Sequence, residues 1–275
     1  MPSGSRPGNW RGRKAGPQFR ATRSPESSPG WARGSPGAED GQEVYGLIRF
    51  DRDGGAAEYV TAPTADLAVK PGSADHVGAA SMALAALTAW QALVRHAHLA
   101  PGQHVLVNGG AGGVGGYAVQ VAAALGARVT ATASARDAGF VAGLGASQVI
   151  DYAGPPIDQQ VSDVDVVVDT VGGQAMSRCW QVLRPGGIMV GVASAPSEAD
   201  ARRHQVRAVY FIVEPDQAAL SELAKLVDSG RLRTTVGRVF PLAEAAAAFH
   251  ALEHQHVHGK IVLSVRPEPS STEGN

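Results

Sequence analysis

His104-Val105-Leu106-Val107-Asn108-Gly109-Gly110-Ala111-Gly112-Gly113-Val114-Gly115 is the stretch on which the fold turns. Its first five residues form a short apolar run, which predicts a buried strand. Val114, Ala118, Val121, Ala122 and Leu125 then recur on one face of a helix that stops at Gly126. The pattern Gly110-x-Gly112-x-x-Gly115 therefore lies between a strand and a helix, the context that gives it meaning. Gly110 permits a tight turn, Gly112 lets the backbone approach a diphosphate, and Gly115 lets helix and strand pack closely. Free amides and the positive end of the helix dipole then face the anion. The competing reading of the same glycines is a tight turn that holds no ligand.

Working downstream, strands are expected at 129–133, 148–150, 164–168 and 188–192, with helices at 137–144 and 176–183 between them. Such alternation means a doubly wound parallel sheet covered by helices on both faces. A helix at 217–227, a strand at 238–240, a helix at 242–252 and a last strand at 260–265 complete the chain. Where an NAD-binding domain carries an Asp or Glu, at the end of the second strand, this sequence has Ser134 followed by Arg136. A carboxylate would repel a 2′-phosphate, whereas a hydroxyl and a guanidinium hydrogen-bond to it, so the expected cofactor is NADPH. Asp169 ends one strand and Gly191 another, at the sheet edge where ligands bind. For Asp169, ligand contact and helix capping are both open.

Upstream, residues 77–97 form an Ala-rich stretch with Leu84, Leu87, Trp90 and Leu93 at helical spacing, expected as one buried helix. Residues 43–48 and 58–61 alternate like short strands around the turn signal Asp53-Gly54-Gly55. Residues 1–40 are dominated by Gly, Pro, Ser and Arg without either period, and are expected to be a disordered tail. Its basic residues leave open a polyanion-binding arm, an Arg-rich transit peptide or a start placed too far upstream. For the whole chain, a formal net charge of -1 gives no general attraction to nucleic acid. No run of apolar residues is long enough to span a membrane, and the first forty residues hold no apolar core of a secretory signal, so a cytoplasmic location is expected. The single cysteine, Cys179, excludes an intrachain disulfide and a cysteine-rich zinc site.

Taken together, Glu43-Val44-Tyr45-Gly46, Gly55-Ala56-Ala57-Glu58-Tyr59-Val60, Leu87-Thr88-Ala89-Trp90, the glycine loop with Ala118 and Gln120, Leu144-Gly145-Ala146, Arg184-Pro185-Gly186-Gly187 and Gly259-Lys260-Ile261-Val262-Leu263 resemble the medium-chain dehydrogenase/reductase superfamily. The likeness is to its zinc-independent quinone oxidoreductase and zeta-crystallin branch, over residues 42–265. It implies an α/β fold: a Rossmann sheet plus a partial GroES-like β-rich domain. The resemblance implies that the front portion of that domain, which in the family precedes Val44-Tyr45-Gly46, is replaced here by the low-complexity tail, which would leave exposed strand edges and an incomplete substrate cleft. The implied organisation is a tail at 1–40, a GroES-like remnant at 41–76, an NADP-binding domain at 77–213, a segment at 214–266 returning to the substrate domain, and a tail at 267–275.

The resemblance also implies site residues. Thr88 would approach the nicotinamide. Gly112, Gly113, Val114 and Gly115 would hold the diphosphate, with Lys260 near it. Ser134, Arg136 and Tyr152 would hold the adenosine 2′-phosphate, Tyr152 being open to a packing role instead. Val171 and Gly172 would meet the ribose, while Val190 to Ala193, including Gly191 and Val192, and Phe211 to Val213 would line the nicotinamide.

His250, His254, His256 and His258 suggest metal ligation, but a surface turn before the last strand is the preferred reading, and no metal is expected. Without zinc, a reductase moves a hydride to a carbonyl carbon or to the β-carbon of an enone while donors stabilise the oxygen. Tyr45 and Tyr59 are chemically able to donate, yet both fit better as strand residues, so the catalytic group is left unassigned. The expected function is an NADPH-dependent reductase of quinones, enones or related carbonyls, with a small-molecule substrate and room for a homodimer. The alternative is a non-catalytic NADPH-binding protein; a third class, nucleic-acid binding through the basic tail, is disfavoured.

Overall fold

The computed structural model describes residues 41–52 and 54–265. The expected tails at 1–40 and 267–275, and Asp53 of the turn signal, lie outside the described residues.

A two-stranded antiparallel sheet opens the described chain, with β1 (Val44–Gly46) paired to β2 (Leu67–Val69). The strand expected at 58–61 is not formed. Its alternation is real, since Val60 packs on Val44, Ile48 and Leu67 while Tyr59 is exposed, but among the described residues β1 pairs only with β2, so this segment covers the small cluster as a loop. The helix expected at 77–97 is broken into α1 (His76–Ala83) and α2 (Ala85–Trp90), the latter running on as a π-turn over Gln91–His96. Asp75 caps α1 by accepting from the Gly78 amide at 2.6 Å. The two halves meet at 41°, and Thr88 explains part of the bend. Both its amide and its hydroxyl donate to Leu84 O, and such back-bonding bends helices. Among the described residues no single helix is long and apolar enough to cross a membrane.

The six-stranded parallel sheet follows. Its strands are β3 (His104–Asn108), β4 (Arg128–Ala133), β5 (Gln148–Asp151), β6 (Val164–Asp169), β7 (Leu183–Gly191) and β8 (Arg207–Tyr210), in the order β5-β4-β3-β6-β7-β8. The order reverses between β3 and β6, so their carboxyl ends form the crevice where such sheets bind ligand. The alternation of side chains splits the core in two. Val105, Val107, Val129, Val166, Val168 and Ile188 face one cluster, and Leu106, Val164, Val167 and Met189 face the other. Helix α3 (Gly115–Ala124) covers the first face and ends at Gly126, whose φ of +82° and the Ala127 amide bonded back to Ala122 O make a left-handed stop. The helix expected at 137–144 begins as a 3-10 turn, Ala135–Asp137, before α4 (Ala138–Gly143). Helix α5 (Gly173–Arg178) precedes β7, and α6 (Glu198–His204) leads into the edge strand β8.

The C-terminal part contributes α7 (Gln217–Asp228), β9 (Val236–Pro241), α8 (Ala245–His254) and β10 (Lys260–Ser264), with β9 and β10 paired in parallel. Polar side chains on both sides bind this part to the rest, Tyr45, Tyr117 and Gln120 among them. Tyr45 donates to Leu220 O at 2.6 Å, Tyr117 accepts from the Thr235 amide at 3.0 Å, and Gln120 bonds both backbone groups of Arg233. The first core cluster runs without interruption from Tyr45 and Leu47 through α1–α3 to Leu220, Leu223 and Leu232. Residues of the expected front fragment, the Rossmann sheet and the returning segment therefore share one interior.

Candidate functional site

At the carboxyl end of β3 the chain turns through Gly109, whose φ is +91°. The left-handed turn thus belongs to Gly109, one residue earlier than the assignment to Gly110. Gly110 is glycine for space, because an added Cβ would lie 2.8 Å from Ala131 Cβ and 3.1 Å from Val141. A Cβ on Gly115 would run into Gly109 O, so the close helix–strand approach is real. Gly112 is different in kind. Its nearest neighbour would be Gly109 O at 3.4 Å, so its missing side chain leaves the concave face of the loop open. The first helical hydrogen bonds are Gly116 to Gly112 O and Ala118 to Val114 O, which leaves the amides of Gly113, Val114 and Gly115 for an outside acceptor.

Lys260 lies over this loop. A Cβ on Gly113 would meet Lys260 Cδ at 2.5 Å and Nζ at 3.5 Å, so the lysine stem occupies the space that Gly113 leaves. Burial lowers the Lys260 pKa from the ordinary ammonium value, and no carboxylate among the described residues pairs with it. A poorly solvated cation beside open helix amides has the chemistry to receive an anion.

Beneath the cleft a buried polar chain ties three strand ends together. The Gly109 amide donates to Thr132 Oγ1 at 2.9 Å, Thr132 donates to Asn108 Oδ1 at 2.7 Å, and Asn108 Nδ2 donates to Asp169 Oδ1 at 2.6 Å. The other oxygen of Asp169 accepts from the Gly172 amide at 2.7 Å. Asp169 has no exposed surface, and burial raises its pKa despite these donors. Of its two readings, the structure supports the local one: Asp169 holds the loop that starts α5. That loop presents Val171, half exposed, and Gly172, whose φ is +80° and whose Cβ would strike Ser194. Val192 is held by its amide to Asp169 O, which brings the ends of β6 and β7 side by side.

At the end of β4, Ser134 donates to Asp137 Oδ2 at 2.5 Å, while Arg136 projects outward with its Nε 3.8 Å from Asp137 Oδ1. Asp137 also accepts from His256 and His258, at 3.0 and 2.6 Å. Burial alone would raise its pKa, but the bonds from His258, Ser134 and His256 outweigh that and hold it well below the usual carboxylate range. The sequence reading missed this carboxylate. Tyr152 sits beside Ser134, its amide bonded to Ala133 O, and its side chain is 63% exposed, so core packing is not its role. Phe211 packs against His96 with the rings tilted 37° and their centroids 4.4 Å apart, and Val213 is buried just beyond it. Thr88 points its hydroxyl at its own helix rather than into the cleft.

The remaining candidates drop out. The Tyr45 hydroxyl is committed to Leu220 O, with its pKa raised by burial, and Tyr59 lies on the exposed loop. The Cys179 thiol donates to Ala175 O and is pushed up to about 12 by burial, so it is a core group and a poor zinc ligand. A cavity of about 400 Å³ lined by His104, Arg128, Gln148 and residues 158–163 opens at the amino ends of the strands, away from the crevice.

An open α/β sheet with unpaired helix amides at its switch point is the architecture of dinucleotide-binding folds. The chain belongs to the medium-chain dehydrogenase/reductase family. Residues 144–263 match a family model described as zinc-binding dehydrogenase. The chain is 35% identical to the quinone oxidoreductase of Coxiella burnetii, with a TM-score of 0.77 over 84% of this chain and 74% of that one. It is 30% identical to the mitochondrial NAD(P)H oxidoreductase RTN4IP1 of Danio rerio, over 82% of this chain and 66% of that protein. With the chloroplastic NADPH-dependent alkenal/one oxidoreductase of Arabidopsis thaliana it shares 32% identity, over 82% and 58% of the two. The chain thus spans about two thirds or less of the length of these two sequence relatives. The expectation of a cytoplasmic location is overturned, since these relatives are organellar. An apolar core marks secretory signals only, whereas transit peptides are Arg- and Ser-rich.

Proposed function

We propose that the chain binds NADPH across the carboxyl ends of β3, β4 and β6 and reduces a quinone, enone or related carbonyl without catalytic zinc, residues 77–213 forming the dinucleotide-binding unit. The observation that carries the reading is the Lys260 ammonium, without a carboxylate partner among the described residues, lying over Gly113 at the open start of α3. Lys260 and the amides of Gly113 to Gly115 hold the diphosphate, and Gly112 leaves room for it. At the adenosine end, Ser134, Tyr152 and the exposed Arg136 meet the 2′-phosphate, while Asp137 is buried and turns both of its oxygens toward Ser134, His256 and His258. Val171 and Gly172 take the ribose side, while Gly191, Val192, Phe211 and Val213, with Thr88, shape the nicotinamide end.

When bound, the cofactor supplies a hydride; the protein's part is to fix the reacting face and keep water from it. Quinone and alkenal/one reduction by the relatives favours a conjugated carbonyl as acceptor. Following absorbance at the nicotinamide band, with purified chain, NADPH and a panel of quinones and enones, tests this. Consumption that depends on the acceptor supports the proposal. Saturable NADPH binding without turnover on any acceptor favours the non-catalytic alternative.

A further inference from the structure

We propose that Asp137, His256 and His258 form a divalent transition-metal site, with Zn²⁺ as the fitting ion, that clasps the segment before β10 to the turn after β4. The three residues are the one group of three His, Cys, Asp or Glu side chains among the described residues whose ligand atoms converge, all within 4.8 Å of one another. Each contributes a donor that zinc accepts: Nε2 of His256, Nε2 of His258 and Oδ1 of Asp137.

Three features make this more than a surface cluster. Asp137 is buried at 3% exposure, and its second oxygen is fixed by Ser134, leaving Oδ1 presented to both imidazoles. That is the outer-shell support that orients ligating carboxylates. His258 is held by its ring stacked on Phe140, with centroids 4.5 Å apart and planes 8° from parallel. The alternation His256-x-His258 brings both rings to the same carboxylate, edge to face at 5.0 Å. Around zinc with bonds of about 2.0–2.2 Å, tetrahedral ligand atoms stand roughly 3.3 Å apart, so the observed 3.0 and 2.6 Å require openings of about 0.3 and 0.7 Å. Both imidazoles are about 40% exposed and have room for it, and the exposed Arg136 can swing away. Three protein ligands leave one position for water. The site faces the turn at Ser134 and uses none of the glycine loop.

The test uses the full chain, stripped with chelator and dialysed, then titrated with zinc chloride by calorimetry. One equivalent should bind at micromolar zinc. His258→Ala and Asp137→Asn should each weaken binding by at least about tenfold, and Ser134→Ala by about tenfold. His254→Ala should leave it unchanged, although His254 and His250 stack as a pair on α8. X-ray absorption of the zinc-loaded wild-type chain, which needs no variant to fold, should show two imidazoles with oxygen ligands. Failure to bind at millimolar zinc, an unchanged affinity in His258→Ala, or a spectrum without imidazole would overturn the proposal.

Discussion

Asn108 Nδ2 donates to Asp169 Oδ1 at 2.6 Å, joining the carboxyl ends of the two central strands β3 and β6 directly beneath the cleft. Because Asn108 also accepts from Thr132, and Asp169 from the Gly172 amide, this bond, with those from Thr170 to Asn108 O, helps set the spacing between the glycine turn and the loop before α5. Replacing Asn108 with Leu strands a fully buried carboxylate without one of its donors. A loss of about 2–3 kcal/mol in urea unfolding is expected, together with weaker NADPH binding because the two loops are no longer held in register.

The glycines of the cradle should separate into two kinds. Gly115→Ala places a Cβ into Gly109 O and should lower both the melting temperature and NADPH affinity. Gly112→Ala meets nothing nearer than 3.4 Å, so the fold should keep its melting temperature while the filled cradle loses NADPH affinity by about tenfold or more. Thermal melts run beside cofactor fluorescence titrations distinguish the two.

Arg136 should decide between the two nicotinamide cofactors. Arg136→Ala removes an exposed guanidinium that makes only a long 3.8 Å ion pair with Asp137, so stability should change by less than about 1 kcal/mol. The NADPH dissociation constant should rise about tenfold, the worth of one charge-assisted contact, with NADH affinity unaltered. Equal losses for both cofactors would move the 2′-phosphate elsewhere.

Asp137 predicts a pH dependence of stability. Its pKa in the folded chain lies below the ordinary 3.8, so its contribution is complete above that value and is lost as pH falls below it. Urea midpoints measured downward from pH 6 should hold and then fall below about pH 4. Asp137→Asn should flatten that part of the fall and cost about 2 kcal/mol at neutral pH.

Much of this architecture is legible in the sequence because its core elements carry their own signals. The run His104–Asn108 and the glycines after it define β3 and the start of α3 without help from the rest of the chain. Helix α6, Glu-Ala-Asp-Ala-Arg-Arg-His, buries only Ala201 and offers no apolar period to read, and β8 is a short strand on the sheet edge. The segment around Tyr59 erred the other way, since alternation states which side chains are buried but not whether a partner strand exists. In the site, Lys260 and the glycine loop were placed together by family likeness. The meeting of Asp137 with His256 and His258 spans 119 and 121 residues and exists only once β10 has docked, so spacing along the chain pointed to a turn and not to a cluster.

The central claim is that the open start of α3 with Lys260 above it receives a dinucleotide diphosphate. Calorimetric titration of the folded chain with NADPH, repeated on Lys260→Met, tests it most directly. The account predicts one site per chain, with affinity lowered roughly 10- to 100-fold in the variant and reduced sensitivity to salt. No heat of binding with millimolar NADPH or NADH, or a Lys260→Met variant that binds as tightly as the parent, would contradict it.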